Sequence, residues 1–113
     1  EMVERADEAA RLGADLRATF DREKSFSRED LKRLEKMEKL ARKIRGNAGG
    51  SDDEEQKADF PPTVEESFAR LAEMAEDVRK KVEKTSRHVV SAAVIESSNK
   101  LIALIRHIRR SVR

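Results

Sequence analysis

Two histidines, His88 and His107, are the first residues to weigh for chemistry. They stand 19 positions apart, with no HExxH motif and no Glu-x-x-His pair around either. A metal site built on them would need further ligands converging from elsewhere in the fold. The expected places are therefore a helix surface for His88 and a basic C-terminal turn for His107. Carboxylates are plentiful, but their spacing does not fit a di-iron bundle. The residue three after Glu73 is Glu76, and three after Glu96 is Asn99, where such a site needs histidine. These acids read as a solvated helix face. Gly49-Gly50 has no GK[ST] after it and no strand before it, so it is not a phosphate loop. Cysteine is absent, which removes thiolate chemistry and any disulfide framework. The reading is of a chain that is not an enzyme, with no cofactor, no metal and no small-molecule substrate.

One group of residues hints at a partner class. Arg106, Arg109, Arg110 and Arg113 cluster in the last two turns, within a stretch from Lys84 onward holding seven Lys/Arg against one acid, Glu96. Such a cluster can complement the helix dipole around an apolar contact. It can also bind nucleic-acid phosphates, or sit at an anionic membrane with Leu101, Leu104, Ile105 and Ile108 inserted. Tyr and Trp are absent, so the usual stacking platforms for single strands are missing.

These residues must be held by helices. Charged residues make up 42% and hydrophobic ones 37%, with four Phe as the only aromatics. Long amphipathic helices have that composition. No stretch approaches the ~18 apolar residues of a membrane span. The polar start, Glu1 to Arg5, is not a signal peptide. Opening on Glu rather than Met suggests a preceding segment, and a cytoplasmic setting is expected. Charge is uneven. Residues 1–45 carry 13 basic and 11 acidic side chains, residues 46–66 carry 1 and 7, and residues 67–113 carry 11 and 5.

A first helix over residues 2–22 places Met2, Ala6, Ala9, Gly13, Leu16 and Phe20 at alternating spacings of four and three. This seam is thin and needs a partner, from this chain or another. A second helix over 28–45 starts at an N-cap, Ser27, with Asp30 at the third helical position and Phe26 and Leu31 able to form a staple. Its apolar residues are Leu31, Leu34, Met37, Leu40, Ala41 and Ile44. Glu35/Lys39 and Glu38/Arg42 are expected as ion pairs along it, with Gly46 as its left-handed stop. Residues 46–62 read as an acidic flexible linker long enough to turn a helical hairpin. Thr63 and Glu66 then form a capping box that opens one long helix over 64–112. No internal repeat is evident.

The stripe on that long helix rotates. At roughly 100° per residue, its first half centres near about 310° from Phe68 and its second near about 60°, a turn of roughly 110°. Two faces imply two neighbours, unless the helix breaks at Ser97-Ser98-Asn99. The expected fold is all-α: an elongated helical hairpin or three-helix, coiled-coil-like bundle in one domain, with one long C-terminal helix. Its expected function is self-association, or docking of a partner helix, through Val90, Val94, Leu101, Leu104, Ile105, Ile108 and Val112. Nucleic-acid binding by the four arginines, and membrane-surface binding, are the alternatives.

Overall fold

A computed structural model describes residues 2–50, 60–84 and 91–111. These form four helices: α1 (Met2–Glu23), α2 (Arg28–Asn47), α3 (Val64–Lys84) and α4 (Ala92–Ser111). No strand occurs among the described residues. The Cα radius of gyration is 13.3 Å, matching about 13 Å for a compact domain of this length.

The long C-terminal helix is therefore two helices. Its interruption falls before Ser91, not at Ser97-Ser98-Asn99, which lie inside α4. The Ser91 hydroxyl accepts from Val94 N at 3.2 Å, and its carbonyl accepts from Ile95 N at 3.0 Å. Ser91 thus caps a new helix. The rotated stripe has a simple resolution: folding back at this point turns both halves into one core.

Each helix touches two neighbours. α1 lies against α2 and α3, α4 lies against α2 and α3, and the two diagonal pairs do not meet. Lys24 pairs with Glu65 and the Phe20 ring stacks on Phe68, so α1 and α3 run antiparallel. Arg45 reaches Asn99 while Glu38 meets Arg106 and Arg109, so α2 and α4 are antiparallel too. It follows that α2 and α3 run parallel across the diagonal. α2 and α3 therefore do not form a hairpin, and residues 51–59 of the expected flexible linker lie outside the described residues. The linker begins beside the N-terminal end of α4, where Ala48 O accepts from Ser91 N. It arrives near the C-terminal end, where Phe60 stacks on His107.

The α1 seam finds its partners within this chain. Ala6, Ala9, Gly13 and Leu16 are buried, and a Cβ on Gly13 would lie 3.3 Å from Ala72 Cα and 3.4 Å from Ala75 Cβ. Gly13 is what lets α1 approach α3 closely. At the α1–α2 corner, Ser27 and Asp30 form the full reciprocal capping box. Phe26 turns its ring onto Phe68. Thr63 Oγ1 accepts from Glu66 N at 3.1 Å, the N-cap half of the expected box. Gly46 is not the stop of α2. The helix runs to Asn47, and Gly49 takes the left-handed conformation, φ 99°. Gly49 N donates to Gly46 O and Gly50 N to Arg45 O, which is a Schellman closure.

Candidate functional site

The five described residues of the expected partner-binding face, Val94, Leu101, Leu104, Ile105 and Ile108, are each at most 1% exposed. They sit in one core with Leu34, Ile44, Phe68 and Val78 from the other helices. Val90 and Val112 lie outside the described residues. The apolar surface reckoned as spare is thus covered by this chain's own helices. The same burial removes the side chains that membrane insertion would use. Among the described residues, no helix is long and apolar enough to cross a membrane.

The arginine cluster is largely engaged. Arg109 donates to Glu38 Oε1 at 2.7 Å and meets Glu35 Oε2 at 3.5 Å. Arg106 Nε donates to Glu38 Oε2 at 3.4 Å. Glu38 is buried, so its charge needs these partners. The expected pairs along α2, Glu35/Lys39 and Glu38/Arg42, give way to these links across to α4. Topology explains the change: α4 brings two guanidinium groups to carboxylates that local spacing assigns to α2's own cations. Arg110 is exposed, and Arg113 lies outside the described residues. Arg106, Arg109 and Arg110 do not form one open patch.

A polar cluster joins α3 to α4. Lys81 Nζ donates to Ser97 Oγ at 2.7 Å, Ser97 Oγ donates to Asp77 Oδ2 at 3.0 Å, and Lys81 also pairs with Asp77. Burial alone would push the Asp77 carboxyl up. The hydrogen bonds from Lys81 and Ser97, with the charges of Lys81 and Lys100, bring it below its ordinary value. Serine, lysine and aspartate together invite a nucleophilic reading. Here Ser97 is 4% exposed and closed to a substrate, and its proton points at a carboxylate already bound to an ammonium. The cluster is a clip between helices. Further along α3, Arg79 reaches both Glu76 and Glu83. Hydrogen bonding from Arg79, against some burial, holds the Glu76 carboxyl low.

His107 is half-buried under Phe60, ring centroids 4.3 Å apart and nearly parallel. His88 lies outside the described residues. No group of three or more potential metal ligands converges among the described residues.

What local pairing hid is a row of lysines on α2. Lys32, Lys36, Lys39 and Lys43 line one groove with Glu8, Glu35 and Leu40. The spacing of four, three and four is present in the sequence, but the i,i+4 pairing of Glu35 with Lys39 obscures it. The fold also gathers charge. Adjacent helices α2 and α4 carry 8 basic against 4 acidic, and 4 against 1. On the opposite side, α1 and α3 carry 4 against 6, and 5 against 6. Comparison with protein-family models, with curated proteins and with solved structures finds no match for this chain.

Proposed function

We propose that this chain is a non-catalytic helical interaction module that works as a monomer through its charged exterior. The observation that carries the reading is the closure of the apolar core. The stripes of all four helices, including the C-terminal residues expected to seek a partner, pack on one another. Val3 is the single large hydrophobic side chain exposed among the described residues, at 38%. Stable protein interfaces are usually anchored by buried aromatic or aliphatic side chains. With those withdrawn, recognition falls to charge, and charge is divided between an α2–α4 side and an α1–α3 side.

Self-association through Val94, Leu101, Leu104, Ile105 and Ile108 would require the bundle to open and exchange helices between copies. Light scattering from low to high micromolar concentration separates the two. The expected result is a constant mass of 12.9 kDa. A dimer that persists on dilution overturns the proposal and favours helix exchange.

A further inference from the structure

We infer that the lysine row of α2 is a docking surface for the phosphate backbone of a double-stranded nucleic acid, read without regard to sequence. The inference rests on the module acting through its charged exterior. At ~100° and ~1.5 Å per residue, Lys32, Lys36, Lys39 and Lys43 fall within roughly 60° of arc and about 16 Å of helix length. All four are exposed.

The row is poorly neutralised, and the reason is structural. Glu35, one helical turn from Lys39, lies at Arg109. Glu38, which lies between them in sequence, is buried against Arg106 and Arg109. Lys39 and Lys43 form no ion pair among the described residues. Lys32 and Lys36 pair with Glu29 at 3.9 Å and Glu8 at 2.8 Å. Those pairs are solvent-exposed, so they exchange partners at little cost.

The choice of partner follows from what accompanies the row. Its one apolar neighbour in the groove, Leu40, is 8% exposed, so nothing there can insert into lipid or anchor a protein helix. With neither Trp nor Tyr in the chain, stacking on unpaired bases is not its mode. A duplex presents dense, regular negative charge and is bound by point cations without apolar anchors.

The test is fluorescence anisotropy with labelled DNA and RNA duplexes of arbitrary sequence, about 20 base pairs long, across about 50 to 200 mM salt. Four phosphate contacts predict a log–log salt slope of about −3.6, so wild-type affinity should fall roughly 150-fold over that range. Lys39→Gln/Lys43→Gln should weaken binding at least tenfold at low salt and cut the slope by about half. Lys80→Gln/Lys84→Gln, which removes the same charge from the exposed side of α3, should change neither. Circular dichroism checks that both variants stay helical. The inference is overturned by no duplex binding at low salt, by binding indifferent to salt, or by equal loss in the two variants. Binding to phosphatidylserine vesicles but not to duplex also overturns it. A failed duplex assay with a monomeric protein leaves the interaction-module reading standing, whereas a stable dimer removes that reading itself.

Discussion

Replacing Ile105 with alanine separates a core residue from a partner contact. Ile105 is fully buried within the single-chain core. Truncating it removes three methyl or methylene groups and leaves a cavity between helices that cannot fully collapse, at a cost of about 3 kcal/mol within the usual range of roughly 2–5. Unfolding entropy near ~2.1 cal/mol/K per residue comes to about 240 cal/mol/K for this chain, so the melting midpoint should drop by about 12 °C. Ile105→Val should cost about 1 kcal/mol and about 4 °C. Thermal melts by circular dichroism at two protein concentrations measure both. If Ile105 instead faced a second chain, the midpoint would depend on concentration, and dissociation would precede unfolding. A concentration-independent shift is expected. A shift below about 3 °C in Ile105→Ala, or one that changes with dilution, would refute the packing argument.

Three further outcomes test particular contacts. Gly46→Ala should raise stability by up to about 1 kcal/mol, since Gly46 is helical with open space around its Cβ position. Gly49→Ala should lower stability by about 1 kcal/mol, because φ 99° strains any L side chain. Denaturant melts that rank the two the other way would return the left-handed stop to Gly46. Ser98→Ala should stabilise by about 1 kcal/mol, because its fully buried hydroxyl has no hydrogen-bond partner among the described residues. A loss in a urea titration would show that the hydroxyl is satisfied in solution. The Asp77 and Glu76 carboxyls titrate below their ordinary values of 3.8 and 4.5 when folded. Their contribution is complete above those values and lost as pH falls through the lowered folded ones. Asp77→Asn should therefore flatten the acid limb of a stability–pH profile and leave neutral pH onward parallel to wild type. A limb of unchanged steepness would count against the Asp77–Lys81–Ser97 clip.

Local signals were readable because they depend on neighbouring residues alone. The Ser27–Asp30 box and the seams of α1, α2 and α3 appear where spacing and cap chemistry place them. The break before Ser91 was harder to read. No Gly or Pro marks it, and the residue three after Ser91 is Val94, so the acidic half of a capping box is missing. The phase rotation did record that break, as a stripe pointing two ways, but a stripe cannot say whether two faces serve two neighbours or one folded-back core. Gly46 misled for a similar reason: three nearby glycines could each end the helix. The Schellman bonds to Arg45 and Gly46 select Gly49 through backbone geometry that composition does not contain.

The candidate surface lay further from view, because it depends on which helix each carboxylate answers to. Along α2, Glu35 and Glu38 look like counter-charges for Lys39 and Arg42. Packing α4 antiparallel to α2 puts Arg109 and Arg106 at those same carboxylates. Glu38 is drawn into a nearly dry site, where the geometry of two guanidinium groups serves it better than one flexible surface cation. The interhelical clamp and the unbalanced lysine row thus have one origin. This links them experimentally. In Glu38→Gln, the ties from Arg106 and Arg109 weaken, Glu35 is left as the carboxylate still at Arg109, and the α2–α4 side gains one net positive charge. Such a variant should be less stable, and any polyanion affinity of the row should rise rather than fall. Lysine substitutions should weaken binding alone. If Glu38→Gln lowers the melting midpoint yet leaves duplex affinity and salt slope untouched, the clamp and the row are independent features that merely share a helix.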